Sequence, residues 1–123
     1  MEFNNNIPIY IQVMEKIKQD IVMGKLAPGD KMPSSRDFSN ELGINFNTVA
    51  RVYKEMEMEE ILFTRRGLGT FITEVPERIN NLRYEMAKKQ IETFIKGMQQ
   101  IGYTKEEMIK LIELEDNYRE GIE

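Results

Sequence analysis

Asn45, Asn47, Thr48, Arg51 and Lys54 crowd into one stretch, INFNTVARVYKEME, residues 44 to 57. Residues of these types can contact nucleic acid, although by themselves Arg51 and Lys54 read as a solvated face paired with Glu55 and neighbouring acids. An asparagine amide can meet adenine N6 and N7 together, and arginine, lysine and hydroxyl groups can hold phosphate oxygens. Bond-breaking chemistry has far less to work with. The chain has no histidine and no cysteine, which removes thiol nucleophiles, Ser-His-Asp triads, disulfides and nearly every transition-metal site. Its 21 carboxylates lie in stretches such as EMEMEE that read as solvated helical faces, with no paired-acid or metal-ligand spacing. No catalytic residue, metal or cofactor is expected, and an enzyme is the least supported class.

The elements that must position this polar face follow from periodicity. Between Pro8 and Met23 the apolar residues Tyr10, Val13, Met14, Ile17 and Ile21 recur at steps of three and four, so they share one helical face, and Gly24 is placed to end the helix. In LAPGDKMP, Pro28 and Gly29 preset a turn, and Pro33 keeps its predecessor out of a helix. Ser34 opens a short second helix, SSRDFSNEL, with Asp37 three positions on in a variant of the capping box and with Phe38 and Leu42 as its expected buried face. Gly43 closes it. Asn45 caps a third helix whose apolar stripe is Val49, Val52, Tyr53 and Met56. Tyr10 and Tyr53 are expected in the core, while Phe46, Asn47, Ala50, Arg51 and Lys54 are expected to project from the opposite side. Two helices meeting across Gly43-Ile44-Asn45 make a helix-turn-helix. The following ILFTRRGLGTFIT has β-rich segments around a Gly-Leu-Gly turn and reads as a hairpin, which completes a winged helix-turn-helix.

Past Pro76 the period is helical again. Tyr84, Ala87, Ile91, Phe94, Met98 and Ile101 form a short heptad seam, Gly102 interrupts it, and Thr104 with Glu107 forms a capping box before a helix carrying Met108, Ile109, Leu111, Ile112 and Leu114. A helical hairpin this small has more apolar surface than it can bury alone. We therefore expect dimerisation through Tyr84, Ala87, Ile91, Phe94, Met98, Ile101 and Leu111. The fold class is mostly α with a small β-hairpin: a winged helix-turn-helix over 1–75, then a C-terminal helical hairpin for dimerisation over 76–123. The 123 residues, 41% hydrophobic and 31% charged, fit a globular chain, and no run of about 18 apolar residues or signal-peptide pattern appears, so the expected location is the cytoplasm with no membrane partner. Net charge is −4, with 9 basic against 10 acidic residues up to position 72. Any basic patch must come from placement.

GKLAPGDKMPSSRDFSNELGINFNTVARVYKEMEMEEILFTRRGLGTFI resembles the DNA-binding domain of GntR-family bacterial transcription regulators, whose pattern combines a Pro-Gly-Asp loop, Leu-Pro-Ser-x-Arg, Leu-Gly, Thr-Val and Arg-x-Gly-x-Gly-Thr. The opening IPIYIQVMEKIK and the short C-terminal helices are similar to the YtrA-like subgroup. The resemblance implies a homodimeric, repressor-like protein on a palindromic double-stranded operator, in a subgroup often associated with transporter operons. The short C-terminal hairpin leaves little room for an internal pocket, so any small-molecule effector is expected between domains or at the dimer interface. It assigns Arg36 to phosphate and sometimes bases, Thr48 to the recognition helix, and Gly67, Gly69 and Thr70 to the wing. Phe46 and Ala50 stand where many relatives carry arginine or, at the first of them, proline; Glu60 replaces a frequent glycine and Leu68 a frequent basic residue. Around these, Ser34, Ser35, Arg51 and Lys54 offer further phosphate donors, Asn47 a base contact, and Arg65 and Arg66 a reach to the flanking backbone or minor groove. Asn45 reads first as a cap and second as a contact. The rival reading is a winged helix used as a protein interaction module, with Phe46 as its anchor.

Overall fold

A computed structural model of the chain describes the backbone of residues 1–122 and the side chains of residues 1–115. In chain order the elements are α1 (Ile9–Val22), α2 (Ser35–Leu42), α3 (Phe46–Met58), β1 (Leu62–Arg65), β2 (Gly69–Ile72), α4 (Pro76–Gln100) and α5 (Lys105–Ile122). The chain divides into two compact units, Met1–Arg83 and Tyr84–Glu123, with the division falling inside α4. Among the described residues no helix is long and apolar enough to cross a membrane.

In the first unit, α1 starts after Pro8, which offers no side-chain cap. Gln12 reaches back instead: its Oε1 accepts from Asn4 N–H at 2.8 Å, and its Nε2 donates to the carbonyls of Asn4 and Ile7, each at 2.8 Å. The core gathers Val13, Met14, Ile17 and Ile21 from α1, Val49, Val52, Tyr53 and Met56 from α3, and Ile61, Leu62 and Ile72 around the hairpin. Met32 and Leu82 are buried as well. The stripes expected on α1 and α3 are thus the packed faces, with one exception. Tyr10 is half-buried, because it sits in the first turn of α1, where the helix edge meets solvent.

Helix α2 differs from expectation. Phe38 and Leu42 are half-buried, and its buried residue is Ser39. A small side chain at that position suits a close approach to α3, against which α2 packs. Its hydroxyl is satisfied by donating to the Arg36 carbonyl at 2.8 Å. Phe38 lies to the side and stacks on Tyr53, with ring centroids 6.1 Å apart.

β1 and β2 pair antiparallel, from Leu62 opposite Ile72 to Arg65 opposite Gly69. The segment in which Pro28 and Gly29 preset a turn does more than turn. It covers the free edge of β2: Gly29 N–H donates to the Ile72 carbonyl at 2.9 Å, Ile72 N–H to that of Asp30 at 2.8 Å, and Met32 N–H to that of Thr70 at 2.7 Å. An edge paired in this way cannot template another strand. Glu60, just after α3, has φ 62°, the left-handed conformation that favours glycine, and its carboxylate pairs with Arg78 at 3.2 Å.

In the second unit, α4 gives way to α5 at Gly102, φ 89°. The Thr104–Glu107 capping box forms in both directions. Thr104 Oγ1 accepts from Glu107 N–H at 3.2 Å, and Glu107 Oε1 accepts from Thr104 N–H at 3.0 Å. Met108 is buried, whereas Tyr84, Ile91, Phe94, Ile101 and Leu111 are exposed large side chains. Ala87 is exposed too, and Met98 is half-buried.

Candidate nucleic-acid interface

The turn between α2 and α3 is built from local chemistry. Ser34 Oγ accepts from Asp37 N–H at 3.0 Å and caps α2, and Gly43 ends that helix at φ 69°. Asn45 Oδ1 then accepts from Asn47 N–H at 2.7 Å and caps α3. Tyr53 ties the approach to α2 onto α3, its phenol donating to the Pro33 carbonyl at 2.7 Å. Burial, and secondarily the Glu41 charge, push that phenol's pKa well above its ordinary value, so it remains a donor.

These caps decide which polar groups are spent and which are available. The Asn45 side chain is engaged in its cap. Asn47 is exposed on the first turn of α3, and its amide side chain has no protein partner among the described residues. Thr48 is half-buried beside it. Ala50, expected to project, is also half-buried, so the exposed strip of α3 is narrower than its sequence pattern suggests. Phe46 is 46% exposed, with the Arg36 guanidinium 5.7 Å from its ring centroid. Lys54 is exposed and unpaired among the described residues.

Arg51 is held by two groups. Its guanidinium carbon lies 3.6 Å from the centroid of the Tyr10 ring, and its Nε pairs with Glu55 Oε1 at 3.2 Å. It links α1 to α3 while remaining largely exposed, a geometry in which the aromatic face supplies attraction beyond the ion pair.

On the hairpin, Arg65 lies opposite Gly69, with its guanidinium carbon 5.3 Å from the Phe63 ring centroid. Arg66, Gly67 and Leu68 form the tip: Leu68 N–H donates to the Arg65 carbonyl at 2.9 Å, and Gly67 has φ 80°. Leu68 is 59% exposed. Thr70 Oγ1 lies 3.2 Å from Thr64 Oγ1, and Thr64 in turn donates to Glu57 at 2.6 Å, so the hairpin is fastened to α3 one residue pair short of the Arg65–Gly69 pair that leads into its tip. Ser35 is half-buried at the start of α2. Lys31, which the sequence reading does not single out, is an exposed cation on the segment covering β2. Its only signal there is a basic residue just before Met32 and Pro33.

Four exposed cations therefore belong to the unit that carries the neutral first turn of α3: Arg36 on α2, Lys54 on α3, and Arg65 and Arg66 on the hairpin. Among the described residues no cluster of acids forms a metal site. The arrangement can donate hydrogen bonds to an anionic backbone and present one free amide between them.

The family model for bacterial regulatory proteins of the gntR family matches residues 9–72. The uncharacterized HTH-type transcriptional regulator YhcF of Bacillus subtilis is 41% identical over 109 residues, covering 89% of this chain and 90% of that protein. The HTH-type transcriptional repressor YtrA of the same organism is 37% identical, covering 74% and 71%. A GntR family transcriptional regulator from Listeria monocytogenes superposes with a TM-score of 0.86 at 38% identity over 90% of this chain and 97% of that one. The DNA-binding domain of AraR, solved in complex with an operator, superposes with a TM-score of 0.52 at 28% identity over 55% and 81%. With the helix-turn-helix, the wing and this likeness over nearly its whole length, the chain belongs to the GntR family of bacterial regulators, in its YtrA-like group, and is a DNA-binding transcription regulator.

Proposed function

We propose that this protein is a repressor that acts in the cytoplasm as a homodimer on a palindromic operator. Residues 1–75 would form the DNA-binding domain and residues 76–123 the dimerising region. The observation that carries the reading is the unpartnered amide of Asn47 on the exposed first turn of α3, flanked by Arg36, Lys54 and the Arg65–Arg66 wing. In this reading the start of α3 enters the major groove, Asn47 reads a base edge, and the wing meets the neighbouring backbone or minor groove. Ser34, Ser35, Arg36, Thr48, Arg51, Lys54 and Thr70 line the DNA side, with Asn45 and Phe46 at the entry to α3 and Gly67 and Gly69 shaping the wing. Arg51, with its face on Tyr10 and its Nε on Glu55, has its terminal nitrogens left to meet phosphate.

The exposed apolar residues Tyr84, Ile91, Phe94, Ile101 and Leu111 support a second copy of the chain as the partner of the C-terminal helices. A two-fold dimer demands a two-fold site. With two or three cations per subunit on phosphate, the dimer would neutralise roughly 4 to 6 charges, and log K would fall against log salt with a slope of about −4 to −5. The genes we expect under its control form a transporter operon, and a small molecule would release the repressor.

Selection from a random duplex library tests the reading. The full chain should enrich one motif with two-fold symmetry. Recovery of no motif, or of an unrelated set of sequences bound with equal affinity, would refute it.

A further inference from the structure

We infer that Lys31 is a further contact to the DNA backbone, held at the groove between the hairpin and the start of α2; the inference rests on the operator-binding reading above. Lys31 bridges to Phe71 on β2, and the hydrogen bonds on either side of it fix its place along that strand. Its side chain runs across Gly69. A methyl group at Gly69 would stand 2.8 Å from Lys31 Cε and 3.6 Å from Nζ. The bare glycine therefore leaves the path that the lysine stem occupies, and with φ 122° it also holds a backbone conformation that other residues resist.

The groove beneath has a volume of about 620 Å³ and is lined by Lys31, Ser34, Ser35, Asp37, Gly69 and Thr70 among others. Asp37 is the acid in that lining, so without Lys31 the side chains would present a net negative charge to a phosphate. Lys31 cancels it. Its ammonium has no ion-pair partner among the described residues and is free to meet an outside anion. A lysine is a compact, mobile point charge and tolerates the varied orientations of phosphodiester oxygens, whereas base reading needs a fixed pair of donors and acceptors. The geometry thus assigns Lys31 to affinity and Gly69 to positioning it.

The test compares two duplexes of equal length, the one selected by the wild-type chain and a scrambled version, across a salt series. Lys31→Gln keeps much of the stem and removes the charge. It should weaken binding to both duplexes by the same factor and make the slope of log K against log salt shallower by about 0.9 per subunit. Lys31→Arg should restore both, and Asp37→Asn should tighten both duplexes. A Lys31→Gln protein with wild-type affinity and slope would overturn the assignment, as would one that loses only its preference between duplexes. A wild-type chain without any preference would instead overturn the operator reading, and this inference with it.

Discussion

Asn45 and Asn47 are the same residue type two positions apart, and the structure gives them different work. Asn45 spends its side chain on the cap of α3, while Asn47 keeps its own free. Asn47→Ala should therefore leave the melting temperature unchanged and reduce the difference between operator and random duplex by about 1 to 3 kcal/mol per subunit, read by competition binding. Asn45→Ala should lower stability by about 1 kcal/mol in denaturant unfolding, and Asn45→Ser should recover it. Tyr53 makes a prediction in pH. Its folded pKa lies above the ordinary value of 10.0, so its contribution to stability is complete below that pH and is lost as pH rises beyond it. Unfolding curves of the wild type should weaken above about pH 10 more steeply than those of Tyr53→Phe. The caps were legible in the sequence because capping is a local grammar of a few neighbouring residues. The Tyr10–Arg51 stack and the Tyr53–Pro33 hydrogen bond were not, since each joins residues distant in the chain that meet only once the core has formed.

At the scale of elements, periodicity located the buried stripes of α1 and α3 and the turn chemistry located the hairpin. Helix α2 escaped it: with eight residues, its apolar pair Phe38 and Leu42 gave a pattern too short to define a face, and the close packing fell to Ser39. The edge pairing of residues 29–32 was equally hidden, because Pro28 and Pro33 mark a loop and say nothing of the strand it lies along. Glu60 is the element-scale position with a measurable consequence. A side chain in the left-handed conformation costs roughly 1 to 2 kcal/mol, partly offset when glycine loosens the unfolded chain. The exposed Arg78 pair returns no more than about 1 kcal/mol. Glu60→Gly should therefore keep or raise stability by up to about 1 kcal/mol in denaturant unfolding despite losing that ion pair; a clear loss would show that the Arg78 contact anchors the start of α4.

For the whole molecule, the compact unit Met1–Arg83 extends beyond the end of the winged helix into α4, where Leu82 is buried. A shortened chain meant to isolate DNA binding should accordingly keep, beyond the proposed domain 1–75, the start of α4 as far as Arg83. The heptad spacing that singled out Tyr84, Ile91 and Phe94 found residues that stand exposed in the single chain. Ile91→Glu combined with Phe94→Glu should give monomers that keep the melting behaviour of the first unit and bind the selected duplex much more weakly. The most direct test is sedimentation of the full chain with that duplex, beside a duplex in which one half of the motif is scrambled. We predict two chains on the intact duplex, bound together, with a large loss of affinity when either half is destroyed. A single chain per duplex, or equal affinity for the intact and half-scrambled sites, would contradict a homodimer reading a palindrome.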